Sequence, residues 1–260
     1  MNLASSGATD VPPAGEVAAL LIDVPGSSFD AAVAFWAAAL SADADALPGM
    51  PGGGDVYVTL RGATAVTDVL LQRLGDDEPP RLHLDVAVPD RAAAVARAES
   101  LGGSVRQRED RWDVLVDPAG LPLCVGFEDP DDPQVARRRS DRGHLEGVRL
   151  EVAPPALDTE VAFWSALLGA APAPEGASQA LRGARAVGGG AVGLVVSPGP
   201  PGPAGPAVVP HVRAELTSPD VGAEVERLRE LGAVHVAAAG DGVTLADPAG
   251  NLLRVAPAVG

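Results

Sequence analysis

The fold is decided by a stretch that occurs twice: residues 33–40 are VAFWAAAL, and residues 161–168 are VAFWSALL. A second repeated stretch, DPAG, stands at 117–120 and again at 247–250. The copies of the first stretch are 128 positions apart and those of the second 130, so little insertion separates them. The chain therefore consists of two similar halves, and a repeat of this length governs the interpretation of every other feature.

Within each half, short strands alternate with amphipathic helices. β-branched residues at 16–24 predict a strand, and apolar residues at helical spacing over 29–41 predict the helix that follows it. Later elements are predicted as strands 55–61, 66–74 and 81–88, helix 89–101, and strands near 104–108, 112–116 and 121–127. One half thus holds two modules of one strand, one helix and three strands, and the whole chain holds four.

A single module is too small to bury its own sheet face, so the modules must pair. We therefore predict an α+β fold of four βαβββ modules, which form two tandem domains, each with a cleft between curved mixed sheets. Such a cleft is a natural site for a small molecule. The predicted boundaries are a disordered tail at 1–14, a first domain at 15–129, a charged linker at 130–144 and a second domain at 145–260.

Composition excludes several classes of function. The chain has 260 residues, 35 of them acidic and 19 basic, and a formal charge of −16, which excludes general nucleic-acid binding and disfavours an anionic membrane surface. Apolar runs are too short for a spanning helix, and the N-terminus lacks the features of a secretory signal. The single cysteine, Cys124, allows no internal disulfide. We expect a cytoplasmic monomer or homodimer.

The order of these motifs resembles the vicinal-oxygen-chelate superfamily, which includes glyoxalases, bleomycin-resistance proteins and extradiol dioxygenases. The resemblance rests on the helices that contain AFW, on HLDVAVPD at 83–90, on AESLGG at 98–103 and on DPAG before an apolar strand. The first half is most similar to a glyoxalase-like branch common in high-GC actinobacteria. The resemblance implies the tandem fold predicted above.

Metal-dependent members of that superfamily hold an ion at four strand positions in the cleft. The resemblance places these positions at Ala19, Gln72, His83 and Cys124 in the first half, and at Gly147, Ser197, Arg213 and Arg254 in the second. Alanine and glycine offer no side-chain ligand, and arginine repels a cation. Neither set contains a carboxylate. We therefore expect no bound metal and no other cofactor.

Several residues remain candidates for a site without a metal. His83 and Asp85 alternate with apolar neighbours and share one face of a strand, so they are the candidate catalytic pair. The candidate ligand-binding residues are Gln72, Trp112, Cys124, Arg213 and Arg254. The alternatives stay open: Trp112 suits a core position as well as a cleft. The pairs His83–Asp85 and Arg213–Glu215 suit internal hydrogen bonding as well as a ligand.

Three functions are compatible with this pattern. The first is a binding protein of the sequestration or resistance type, which holds a small, largely apolar or aromatic molecule in a metal-free cleft. The second is a metal-independent lyase, isomerase or cyclase, with His83 as general base and Asp85 as its orienting partner. The third is a metal-dependent glyoxalase or dioxygenase, which the ligand positions disfavour. In each case we expect the first half to carry the working site.

Overall fold

The computed structural model describes residues 14–50, 53–62, 67–126, 145–187, 190–199 and 209–258. The predicted linker and residues 1–13 of the predicted tail lie outside these ranges. The first half contains β1 (Glu16–Pro25), α1 (Phe29–Ala39), β2 (Asp43–Ala46), β3 (Tyr57–Arg61), β4 (Asp68–Leu74), β5 (Arg81–Ala87), α2 (Arg91–Ser100), β6 (Ser104–Arg108), β7 (Trp112–Val116) and β8 (Pro122–Gly126).

The second half repeats the same order of elements. It contains β9 (Leu145–Val152), α3 (Leu157–Leu168), β10 (Ala171–Glu175), β11 (Ser178–Arg182), β12 (Gly193–Pro198), β13 (His211–Ser218), α4 (Val221–Glu230), β14 (Val234–Ala239), β15 (Gly242–Ala246) and β16 (Leu252–Pro257). The four βαβββ modules and the α+β class are therefore confirmed.

The two modules of each half join into one sheet. The first sheet has the order β2-β3-β4-β1-β5-β8-β7-β6, and the second has the equivalent order β10-β11-β12-β9-β13-β16-β15-β14. The modules meet where β1 pairs antiparallel with β5, and where β9 pairs antiparallel with β13. Each cleft thus lies on one continuous mixed sheet. The sequence pattern did not locate β2, because its DADA segment is an exposed edge with little strand propensity.

Strand alternation divides each sheet into two chemical faces. In β1, Leu20 and Ile22 are fully buried in the main core, whereas Leu21 belongs to a separate small cluster with Ala19 and Tyr57. Successive strand side chains point to opposite faces, so the residues flanking the core positions line the other face. That second face is the one on which the candidate site residues lie.

The two halves are joined by reciprocal contacts. The Trp36 indole N–H of α1 donates to Asp247 Oδ2 at 2.8 Å, and the Trp164 indole N–H of α3 donates to Asp117 Oδ2 at 3.1 Å. Both aspartates belong to the repeated DPAG turns, where Oδ1 of each also accepts backbone N–H groups of its own turn. Each half therefore completes a turn of the other, and one hydrophobic core runs through both.

Candidate functional site

The first sheet carries a cavity of about 250 Å³ on its second face. Apolar and aromatic side chains line part of it: Leu21, Met50, Tyr57, Leu74, Trp112, Val114 and Pro122. Polar side chains and the cysteine line the remainder: Asp23, Gln72, Glu78, Arg81, His83, Asp85, Gln107, Glu109 and Cys124. This mixture of apolar surface and converging polar groups is typical of sites for small molecules.

Strand register brings the polar groups together. In the β1–β5 pair, Ala19 lies opposite Asp85, and Leu21 lies opposite His83. In the parallel β5–β8 pair, Asp85 lies opposite Cys124. Residues two apart on a strand share a face, so β5 presents His83 and Asp85 to the same cavity.

His83 stands between two carboxylates. Its Nδ1 lies 3.2 Å from Asp23 Oδ2, and its Nε2 lies 3.4 Å from Asp85 Oδ1. Cys124 Sγ lies 3.7 Å from the same Nε2. Asp23 is also 2.9 Å from Arg81 Nε, so positive and negative groups alternate from Arg81 through Asp23 and His83 to Asp85.

These surroundings shift the pKa values of the titratable groups. Burial alone lowers the pKa of His83, but the charge of Asp23, the hydrogen bond with Asp23 and the nearby Asp85 carboxylate outweigh it and raise the pKa well above 6.5. Burial, reinforced by the Asp85 charge, raises the pKa of the Cys124 thiol to about 11. The same two causes raise the pKa of Tyr57 to about 12. Without an ion, the cavity therefore holds a neutral thiol and a neutral phenol.

The cavity gathers five of the residues selected from the sequence: Gln72, His83, Asp85, Trp112 and Cys124. The contacts of His83 differ from the hypothesis in one respect, because Asp23 lies at Nδ1 and Asp85 lies at Nε2, the nitrogen that a general base would use. Asp23 was not among the residues selected from the sequence, although an acid inside the apolar strand EVAALLIDV was a usable signal.

Arg213 and Arg254 do not join this cavity; they lie on the matching face of the second sheet, in a network of ion pairs. Arg213 contacts Glu151 Oε1 at 2.8 Å and Glu215 Oε1 at 2.9 Å, so the expected Arg213–Glu215 couple is present. Arg149 lies 3.3 Å from Glu215 and Arg254 lies 3.6 Å from it. The charges on this face largely neutralise one another.

The network changes the pKa values of its own members. Burial raises the pKa of Glu151, but the hydrogen bond from His211 and the charges of Arg213, His211 and Arg149 lower it further than burial raises it. The pKa of His211 is raised, since the contact with Glu151 at 2.9 Å outweighs the effect of burial. Both shifts favour the charged form of the group.

Matched positions of the two halves carry opposite chemistry. His83 corresponds to Arg213, and Cys124 corresponds to Arg254. Trp112 corresponds to Gly242, where an added Cβ would collide with the guanidinium of Arg254. The long Arg254 side chain thus occupies space over β15 that a larger residue at position 242 would need.

Some members of the superfamily that the sequence resembles hold a metal, so the donors available in each cleft decide whether an ion fits. Within the described residues, one group of at least three histidine, cysteine or acidic side chains has the necessary spacing: His83, Asp85 and Cys124, whose ligand atoms lie within 4.8 Å of one another. Asp85 Oδ1 is buried and accepts no hydrogen bond. The first cleft therefore has donors for an ion, although their chemistry differs from that expected of the family positions. In the second half, Arg213 and Arg254 stand at the positions that correspond to His83 and Cys124.

Known structures share this fold at low sequence identity. A Mn(II)-bound glyoxalase from Novosphingobium aromaticivorans is 18% identical, with a TM-score of 0.61, over 94% of this chain and 82% of its own. A variant of 4-hydroxymandelate synthase from Streptomyces coelicolor is 15% identical, with a TM-score of 0.58, over 95% of this chain and 94% of its own. The 2,2',3-trihydroxybiphenyl 1,2-dioxygenase from Sphingomonas wittichii is 16% identical, with a TM-score of 0.57, over 95% of this chain and 91% of its own. These likenesses establish the fold alone.

Other comparisons bear on the family and on the membrane. No curated protein matches the sequence. Among the described residues, no helix is long and apolar enough to cross a membrane. The model of the glyoxalase-like domain family matches residues 19–126 and again residues 149–256. The chain therefore belongs to the glyoxalase-like domain family, within the vicinal-oxygen-chelate superfamily, and carries two tandem copies of its domain.

Proposed function

We propose that the first half is the working half, and that its cleft binds a small, largely apolar or aromatic molecule in a sequestration or resistance role. The observation that carries this proposal is the difference between the two clefts. In the first half, a cavity of about 250 Å³ is lined by aromatic and aliphatic side chains together with polar ones. On the matching face of the second half, arginine and glutamate side chains contact one another.

The cavity limits the size and chemistry of the molecule. Drug-sized ligands usually occupy pockets of ~300–1,000 Å³, so this cavity suits a smaller molecule. Trp112, Leu74 and Val114 offer apolar surface, while Gln72 and Tyr57 offer hydrogen bonds. The binding step itself needs neither an ion nor a cofactor.

The same proposal includes the setting of the protein. Cys124 is a free, buried thiol, and a reducing compartment such as the cytoplasm keeps such a thiol reduced. The ligand is a small molecule, and neither nucleic acid nor a membrane takes part. The protein acts as a monomer or a homodimer.

Retention of small molecules tests the proposal. The purified protein is equilibrated with a mixed metabolite extract, and mass spectrometry identifies what it retains. We expect Gln72→Ala and His83→Ala to lose the retained compound, with a loss of about 1–3 kcal/mol in binding free energy for a buried hydrogen bond to the ligand. Ser197→Ala is the matched control, because Ser197 occupies the register position of Gln72 in the second sheet.

Two outcomes would contradict the proposal. One is retention that survives both first-half substitutions. The other is loss of retention on Ser197→Ala, which would move the site to the second half. Intrinsic fluorescence gives an independent readout, because Trp112 lines the cavity, whereas Trp36 and Trp164 lie in the core. We expect the ligand to change the emission of the wild-type protein but not that of Trp112→Phe.

A further inference from the structure

The sequence argument against a metal depended on the absence of a carboxylate at the four family positions. The structure supplies one from another strand. Asp85 lies opposite Ala19 in the β1–β5 register, so its carboxylate stands beside the position where β1 lacks a ligand. Asp85 is 5% exposed, lines the cavity, and leaves Oδ1 without a hydrogen-bond partner.

We propose that the first cleft binds one thiophilic divalent cation of the zinc type through His83 Nε2, Asp85 Oδ1 and Cys124 Sγ. The inference concerns the ion and does not depend on which small molecule the cleft holds. It differs from the family arrangement in its donors, since the carboxylate comes from β5 and a thiolate replaces an oxygen ligand on β8.

Distances support a common centre for the three donors. His83 Nε2 lies 3.4 Å from Asp85 Oδ1 and 3.7 Å from Cys124 Sγ. Bonds of ~2.0–2.3 Å to a tetrahedral zinc ion place its ligands ~3.3–3.8 Å apart. His83 Nε2 therefore already lies at ligand-to-ligand distance from the other two donors, and all three donor atoms lie within 4.8 Å of one another.

Charge and softness define the kind of ion. On binding an ion, the Cys124 thiol and the His83 imidazole would each release a proton to solvent. The thiolate and the Asp85 carboxylate then provide two negative charges, which match a divalent ion, and the neutral imidazole completes the set. Sulfur favours Zn²⁺ over the hard ions Mg²⁺ and Mn²⁺, which prefer oxygen ligands. When bound, such an ion would act as a Lewis acid on an oxygen of the small molecule.

Asp23 is a positioning residue for this site. It is 1% exposed, holds His83 Nδ1 at 3.2 Å, and is itself held by Arg81 at 2.9 Å. A carboxylate behind a metal-binding histidine fixes the ring and directs the other nitrogen to the ion. In the second half, Arg213 and Arg254 replace His83 and Cys124, so we expect one ion per chain.

Cobalt(II) and zinc(II) salts are the probes for the test. The full-length protein is treated with a chelator and then titrated with Co²⁺, which shows an intense near-ultraviolet band when bound by a thiolate. We expect one equivalent to bind with that band, Zn²⁺ to displace it, and Mn²⁺ to fail to do so. Cys124→Ser should abolish the band, and Asp85→Asn should weaken zinc binding in calorimetry. Asp23→Asn should reduce the zinc affinity by about 10–100-fold while the cobalt–thiolate band persists.

His235→Ala is the matched control, because His235 is an exposed histidine of the second half and should leave the titration unchanged. Near-ultraviolet circular dichroism verifies that each variant is folded, and the nearly isosteric Cys124→Ser keeps the test valid if a carboxylate variant unfolds. Absence of the band, or tighter binding of Mn²⁺ than of Zn²⁺, would overturn the inference. Retention of an aromatic metabolite by the ion-free protein would still support the binding proposal, so the two can fail separately.

Discussion

The two sheets have the same strand order and nearly the same core, yet their second faces differ completely. In the first half, that face bears a cavity that His83, Asp85 and Cys124 help to line. In the second half, Arg213 and Arg254 stand at the matching positions and pair with acids. Because alternate strand residues point to opposite faces, one face can keep the fold while the other changes its chemistry. Duplication here has preserved the architecture without preserving the site.

Breaking the ion pairs of the second half should cause the largest loss of stability. Arg213 is 8% exposed and contacts Glu151 and Glu215 at 2.8 and 2.9 Å. Arg213→Ala removes the nearest cation from both carboxylates. We expect a loss of about 3 kcal/mol in the free energy of unfolding, the lower end for a broken buried pair, because Glu151 keeps His211 and Glu215 keeps Arg149. Chemical denaturation measures it. His83→Ala should cost less stability, because the contacts of His83 with Asp23 and Asp85 are longer, at 3.2 and 3.4 Å.

The exposed Arg182 provides the control, and Arg182→Ala should change the stability little. A loss below about 1 kcal/mol for Arg213→Ala would show that the second face resembles an ordinary solvated surface. The contrast between the two clefts would then not depend on buried ion pairs.

Substitution of Gly147 should give the next largest loss of stability, because β9 and β12 of the second sheet approach each other closely at this position. Gly147 and Gly193 lie opposite each other in the β9–β12 pair, and a Cβ at Gly147 would clash with the Gly193 carbonyl oxygen. Gly147→Ala must move backbone, and we expect a loss of about 1–3 kcal/mol in the free energy of unfolding. Ala19→Gly, at the matching place in the first half, should cost about 0.5–1 kcal/mol. Equal losses at the two positions would contradict this difference between the sheets.

A third difference concerns the two places where the halves meet. Glu160 of α3 is fully buried beside Asp117, whereas the corresponding residue of α1 is Ala32. Burial, together with the negative charge of Asp117, raises the pKa of Glu160 to about 9. Burial also raises the pKa of Asp117.

The folded chain therefore holds a proton on Glu160 between pH 4.5 and 9 that the unfolded chain releases. The stability contributed by this proton is complete below pH 4.5 and is lost as the pH rises toward 9, by up to about 1.4 kcal/mol per pH unit. Glu160→Gln should flatten this slope and raise the free energy of unfolding at pH 8. Urea titrations at several pH values provide the measurement, and a slope unchanged by the substitution would contradict the pKa direction.

The sequence predicted the modules well, because repeated motifs and strand periodicity are local signals. His83 and Cys124 were selected through the family resemblance, and Asp85 because it shares a strand face with His83; all three line the cavity. The sequence did not identify Asp23 as the partner of His83, because that contact depends on the β1–β5 pairing across sixty positions. The ion pairs of the second face and the Trp–Asp contacts between halves likewise depend on register and docking, which one sequence does not encode locally.

The smallest loss of stability is expected for two arginines, each of which binds the C-terminal end of a helix in the opposite half. Arg97 of α2 donates through Nε to the Ala166 carbonyl at 3.0 Å, and Arg227 of α4 donates to the carbonyls of Ala38 and Ala39 at 3.2 and 2.9 Å. These acceptors lie in the last turns of α3 and α1, where a cation also interacts favourably with the helix dipole. The two contacts are therefore equivalent by the internal repeat.

Arg97→Gln and Arg227→Gln should each lower the free energy of unfolding by about 0.3–1 kcal/mol. The double variant should lose the sum of the two, because sites that do not touch usually contribute additively. Arg227 also binds Glu224, which raises the pKa of its guanidinium, so its loss should be the larger of the two. Thermal unfolding of the single and double variants measures the losses. Clearly non-additive losses would contradict this independence. They would show that the two contacts are coupled through the core that the halves share.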